Sequence, residues 1–358
     1  MEQPLPPEKA GPSRTKRILQ AAISLAVAWA LLFGVLPRLA DFGEVWEAVR
    51  SLTFVQTIVL MGFAAWNLIG YQLVMMASLP GLRMRHAFLT GQIAAAVTNT
   101  VPAGSVVGIG VTYAVLSSYG HGVGNIAMAS VLSGWWNTLV VFALPSVAAL
   151  ILALRGGTNG LLLTGAAIGL ALLAAAIAVL VLVSTSERFA RAVGRISARA
   201  VSWLRRLFRK GPVSGWDEGL ARFQRGSAVL IRQRWHWLTL ATVVSHLSIF
   251  WVLLACLRDL GVGRELISWP GALGAFALVR LATAVPITPG GLGLVEVGMT
   301  AALMLVAAEG AQVESAVVAA VLLFRALTFL LQVMLGVACY GLWRWEARRH
   351  RDEEEGLA

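Results

Sequence analysis

Three ionisable side chains stand in apolar sequence around one broken stretch, and they carry the chemistry this chain has to offer. Arg280 precedes the break, Glu296 closes it, and Arg325 follows in the next apolar run. The break itself reads Pro286-Ile-Thr-Pro289-Gly290-Gly291-Leu-Gly293-Leu-Val-Glu296. Each Pro removes a backbone donor and each Gly frees the chain, so no helix runs through it. A guanidinium keeps its charge and grips phosphate with two parallel N–H groups. Helix-end amides freed by the break would face the same anion. The chemistry is therefore the holding of an anionic group, with Glu296 keeping the two arginines apart while no anion is bound. A permanent Arg–Glu pair that only fixes helix packing is the competing reading.

Such groups are costly in lipid, and composition puts them there. The 358 residues are 58% hydrophobic and 13% charged, whereas a soluble domain carries about a quarter charged residues. The fold class is all-α, a polytopic helical membrane protein. The net charge of +11 points to cytoplasmic loops and lipid headgroups rather than nucleic acid. No metal-ligand or nucleotide-binding spacing appears, so neither metal nor cofactor is expected. Cys256 and Cys339 lie in apolar runs and read as packing residues.

Residues 1–17 are polar and Pro-rich and read as a disordered cytoplasmic tail. Residues 18–345 form one transmembrane domain, and 346–358 a second cytoplasmic tail. Apolar runs at 18–37, 54–79, 126–153, 160–183, 235–257 and 313–343 are long enough to span. The first of these reads as a retained helix, because no convincing small-x-small cleavage site follows it. Asn67, Tyr71 and Gln72 in the second read as bundle-facing hydrogen-bonding groups. His246, in the run 235–257, reads as a hydrogen-bonded core histidine. Trp135-Trp136-Asn137 lies deep for an interfacial belt.

The long hydrophilic stretch 185–234 holds twelve Lys/Arg against three Asp/Glu. Within it Phe189, Val193, Ile196, Ala200, Leu204 and Phe208 recur at helical steps, with arginines on the other faces. That predicts a basic amphipathic helix on an anionic membrane surface, ending at Gly211-Pro212, and a second helix from Ser214 onward.

Two runs are interrupted: 87–118 at Asn99-Thr-Val-Pro102-Ala-Gly104, and 269–308 at the stretch described first. The N-terminus, 80–86, 185–234 and the tail are basic, and positive loops stay inside. Counting crossings then puts both termini in the cytoplasm. It starts and ends 87–118 on the cytoplasmic side and 269–308 outside. Thr98–Pro102 also aligns with Ala282–Pro286. Two broken helical hairpins entering from opposite faces are the mark of an inverted-repeat arrangement.

At these residues the chain resembles a flippase-like integral membrane family, that of the transmembrane region of lysylphosphatidylglycerol synthases (the multiple peptide resistance factor flippase domain). The matching pieces are Pro286-x-x-Pro289-Gly290-Gly291-x-Gly293-x-x-Glu296, then Phe324-Arg325, then Gly336. Asn99-x-x-Pro102-x-Gly104 is similar to the family's first-half motif. Tyr113-Ala-Val-Leu116 lacks the arginine that many members carry there. The resemblance implies a lipid flippase-like transporter in the bacterial cytoplasmic membrane. It moves a phospholipid or lipid-linked anionic substrate and is not an enzyme; homo-oligomers are open to it. The expected substrate-binding residues are Arg280, Glu296, Arg325, Pro286, Pro289, Gly290, Gly291, Gly293, Asn99, Pro102 and Gly104. A small-solute transporter and a membrane enzyme using Glu296 as its acid or base are the alternatives.

Overall fold

The computed structural model describes residues 47, 50–101, 104–155, 157, 160–186, 188, 189, 192, 216–284, 288–308 and 313–355. The expected span 18–37 lies outside them, as do nearly all of the amphipathic stretch 186–211 and both Pro102 and Pro286.

The described residues form helices and their connections. In chain order these are α1 (Phe54–Ser78), α2 (Met84–Thr100), α3 (Gly104–Ser118), α4 (Val123–Leu154) and α5 (Gly160–Thr185). Then come α6 (Trp216–Asp259), α7 (Trp269–Ala282), α8 (Leu294–Met304), α9 (Glu314–Arg325) and α10 (Leu331–Glu355). A π-helical turn, Ala326–Leu330, joins α9 to α10. Five segments of the described residues are long and apolar enough to cross a membrane. They are α1, α4, Gly160–Val183 of α5, Leu230–Asp259 of α6, and Glu314–Ala347 across α9 and α10. The chain is a multi-pass membrane protein.

Local chemistry sets the helix starts. Thr53 Oγ1 accepts from the Gln56 backbone N–H at 3.3 Å, and Gln56 Oε1 accepts from the Thr53 backbone N–H at 2.8 Å. This capping box satisfies two orphan donors at the head of α1. At the head of α7 the Ser268 hydroxyl accepts from the Gly271 N–H. Pro270 occupies the first turn, where its missing donor costs nothing. α6 starts at Trp216, where the sequence predicts a second helix, and it runs unbroken into the span.

The spans connect two ends of the molecule. At one end Arg85 of α2 pairs with Glu346 of α10, and Tyr119 Oη donates to the same carboxylate at 3.1 Å. There too Trp343 Nε1 donates to Ser118 Oγ at 2.9 Å. At the other end the Arg155 guanidinium lies 5.0 Å over the Trp269 ring, and the Ala308 N–H donates to the Leu266 carbonyl at 2.9 Å. The α2–α3 hairpin is rooted at the Arg85 end. The α7–α8 hairpin is rooted at the Arg155 end. Their arms have 17, 15, 14 and 11 residues, fewer than the ~20 that cross a bilayer core. The two tips meet inside the bundle, where the turn Pro289–Gly291 packs against α2.

α10 presses on α2 along much of its length. A Cβ at Gly336 would overlap the Gln92 carbonyl and the Ala96 side chain, so this crossing admits only glycine. The main core surrounds α6, α7, α8 and α9 and includes Phe276, Met299, Leu303 and Leu253, all essentially inaccessible.

Candidate functional site

The tip of the second hairpin is a left-handed turn held by one ion pair. After Ala282 the chain returns through a short 3₁₀ turn, Pro289–Gly291. Gly290, Gly291 and Gly293 have φ of 58°, 69° and 81°. L-residues with a Cβ avoid this region at a cost of roughly 1–2 kcal/mol each, which accounts for three glycines in four positions. Glu296 lies in the first turn of α8. One carboxylate oxygen, Oε2, accepts from the Gly293 N–H at 2.7 Å, where the helix dipole favours negative charge. The other, Oε1, accepts from Arg325 Nε at 2.6 Å. Arg325 Nη2 donates to the Gly290 carbonyl at 3.0 Å, and its guanidinium lies 4.6 Å over the Phe329 ring. Arg325 thus ties the tip to the last span at two points, and Glu296, 5% exposed, has both oxygens engaged.

Arg280 is held differently. It lies in the last turn of α7, and its Nη2 lies 3.4 Å from His246 Nε2. His246 Nδ1 sits 3.0 Å from the Thr242 carbonyl. A carbonyl can only accept, so the proton is on Nδ1 and the Nε2 lone pair faces the guanidinium. Among the described residues no carboxylate pairs with Arg280. Its Nε is buried with no hydrogen-bond partner. Among the described residues Glu296 therefore pairs with Arg325 and not with Arg280.

The tip of the first hairpin carries no charge. α2 ends at Thr100, and Gly104 opens α3. Thr98 Oγ1 donates to the Gly104 carbonyl at 3.3 Å. A Cβ on Gly104 would overlap the Thr98 backbone, and one on Gly108 would overlap its hydroxyl. Asn99 faces the other hairpin: a Cβ on Gly290 would come within 3.2 Å of its Oδ1 and would run into the Phe329 ring.

A cavity of about 670 Å³ lies where the tips meet, with Arg280, His246, Asn67, Asn99, Asn137 and Gln332 in its wall. A second space of about 530 Å³ continues from it, sharing Arg280, His246 and Asn99 and adding Gln72, Gln92 and Ser130. Broken helices in lipid persist where their freed backbone groups line such a cavity. Of the expected site residues, Asn99, Gly104, Arg280, Gly290, Gly291 and Arg325 line the larger space. Glu296 and Gly293 act behind it, through the pair and the turn. Pro289 begins the 3₁₀ turn.

Sequence reasoning missed the role of His246, which hydrogen-bonds as expected but also faces Arg280. It also missed Asn137 and Gln332. Their signal was simply a polar side chain in an apolar span. Asn67, read as a bundle-facing hydrogen-bonding group, donates to Ser248 Oγ at 3.2 Å and borders the cavity as well. The deep Trp136 is buried and donates to Thr239 Oγ1 at 2.9 Å. Cys256 and Cys339 are both buried free thiols.

A protein-family model described as the lysylphosphatidylglycerol synthase TM region matches residues 18–336. No curated protein matches the chain.

Proposed function

Starting from the lysylphosphatidylglycerol synthase transmembrane family, to which this chain belongs, we propose that it carries an anionic lipid across the membrane through the cavity between the hairpin tips. The family and the spanning helices together describe a membrane protein of lipid modification or flippase-like function. One observation carries the finer reading. Arg280 lines a cavity built where two helices break, its guanidinium has no carboxylate partner among the described residues, and its Nε–H is buried without an acceptor. A buried charge is costly unless something pairs with it. A lipid phosphate would supply that partner, accepting from the planar fork of Arg280. His246, neutral and hydrogen-bonded to Thr242, orients the fork without competing for the anion.

In this reading Arg325 and Glu296 do not bind the lipid directly. They hold the tip of the second hairpin in its left-handed turn, so the cavity keeps its shape. The lipid is moved and not altered. The Arg85 end, with Arg83, Arg344 and Arg349 about it, faces the cytoplasm by the rule that positive loops stay inside. The membrane is the bacterial cytoplasmic membrane.

The test is reconstitution in liposomes holding an acyl-labelled fluorescent phosphatidylglycerol, with dithionite quenching to follow its exposure. Wild-type protein should make the inner-leaflet label accessible, and the lipid should be recovered with unchanged mass. Arg280→Gln should slow this about ten- to a hundredfold, the worth of hydrogen bonds to a charged group. Arg280→Lys should be intermediate, because an ammonium keeps the charge and loses the fork. Wild-type protein that leaves the label untouched while exchanging a small anion would replace this reading with a solute transporter. A lipid recovered with altered mass would replace it with an enzyme.

A further inference from the structure

We infer that the transported lipid is a phosphodiester with a neutral, hydroxyl-rich headgroup, a polyol or a sugar, and that headgroups carrying an ammonium are rejected. This rests on the anionic-lipid reading of the Arg280 cavity and names the class of lipid that the same cavity takes.

Charge comes first. Among the described residues, neither the larger space nor its continuation has an Asp or Glu in its wall. The nearby Glu296 is spent on Arg325 and the Gly293 N–H. The cavity therefore presents one uncompensated positive charge, that of Arg280. One phosphodiester charge neutralises it. An aminoacyl headgroup brings cations into a space that holds no carboxylate for them and already holds a guanidinium. Desolvating an ammonium there without a counter-charge is unfavourable.

The polar wall comes second. Gln72, Gln92 and Ser130 line the continuation toward the Arg85 end, and each has a buried oxygen with no hydrogen-bond partner: Oε1, Oε1 and Oγ respectively. Gln72 is 1% exposed and Gln92 2%. The orientation of Gln72 is settled by chemistry, because its Nε2 donates to the Leu68 carbonyl at 3.2 Å. Its oxygen is thereby left as an acceptor. α2 makes room for this amide at Gly91, where any Cβ would overlap it. Buried acceptors of this kind want donors. A hydroxylated headgroup supplies O–H donors without charge, and each oxygen left unmatched would cost its desolvation. The neutral first hairpin follows from the same requirement. The first hairpin brings no charged side chain to the continuation, which it lines with Gln92, Asn99, Ser105 and Thr112.

The experiment compares acyl-labelled lipids in proteoliposomes of the full-length protein. Phosphatidylethanol, phosphatidylglycerol and phosphatidylinositol share one phosphate charge and carry no hydroxyl, a pair, and a ring of hydroxyls. Lysyl-phosphatidylglycerol adds ammonium groups. Rates should rise in the order ethanol, glycerol, inositol, by about tenfold across the series, and lysyl-phosphatidylglycerol should be the slowest. Gln72→Met should narrow the span of the series to about twofold. Ser130→Ala, too small a change to threaten the fold, should narrow it in the same direction. Equal rates for phosphatidylethanol and phosphatidylinositol would overturn the hydroxyl inference and leave the anionic-lipid reading standing. Fastest movement of lysyl-phosphatidylglycerol would overturn the charge inference. If no lipid moves, both readings fall together.

Discussion

The two hairpins are anchored at opposite places. The second is tied at its tip, where Arg325 joins Glu296 and Gly290. The first is tied at its root, where Arg85 pairs with Glu346 and Tyr119 and Ser118 bond to α10. One element serves both: the last span carries Arg325 near its middle and Trp343 and Glu346 near its end. Between them Gly336 lets it lie against α2. The tip pair is nearly dry, with side-chain exposures of 13% for Arg325 and 6% for Glu296. The root pair is wet on its basic side, where the Arg85 side chain is 68% exposed. A buried ion pair is expensive to break and an exposed one nearly free. The tip of the second hairpin is therefore fixed by electrostatics. That of the first depends on packing, with Thr98, Gly104 and Gly108 in close approach.

The largest effect should come from breaking the tip alone. Glu296→Gln strands a buried Arg325 and should cost about 3–5 kcal/mol, read as early thermal unfolding of the detergent-solubilised protein. Removing both charges, Glu296→Gln with Arg325→Gln, should recover much of that stability. A double variant as unstable as the single one would mean that the pair is not what holds the turn.

Next comes the packing contact on which the first hairpin depends. Gly336→Leu drives a side chain into the Gln92 carbonyl and Ala96, and should cost about 3 kcal/mol, the upper range for overpacking. Cysteine crosslinking between α2 and α10 should fail in this variant. Crosslinking at the wild-type level would show that α2 does not rely on that crossing.

Gly290→Ala should be milder, about 1–2 kcal/mol, because one residue is forced into the left-handed region and the Phe329 ring must give way. Since the strained residue sits at the tip, lipid movement should fall more than melting temperature does. A change in melting temperature without loss of transport would separate the turn from the site.

Smallest of all, Arg85→Gln should cost less than about 1 kcal/mol, with a melting temperature that is insensitive to salt in the variant. A loss equal to that of Glu296→Gln would erase the contrast between the two anchors.

Much of this was legible in the chain because proline and glycine leave no choice. Asn99–Gly104 and Pro286–Gly293 break helices wherever they occur, and the observed gaps fall at those residues. Glu296 was legible as a residue in need of a partner, since an acid in an apolar run is costly. The choice of partner was not. Arg280 and Arg325 are equivalent in one dimension, and only the approach of the last span to the α8 N-terminus separates them.

By itself, then, the sequence determined the helical spans, both breaks and the handedness that Gly290, Gly291 and Gly293 permit. All are consequences of backbone chemistry and burial that act within a few residues. Tertiary structure alone decided that the two tips meet, that Glu296 takes Arg325, and that His246 turns its lone pair to Arg280. It alone left Gln72, Gln92 and Ser130 with open oxygens. These pairings join residues far apart in the chain. Their energies depend on distances of a few ångströms, and local pattern carries no information about those.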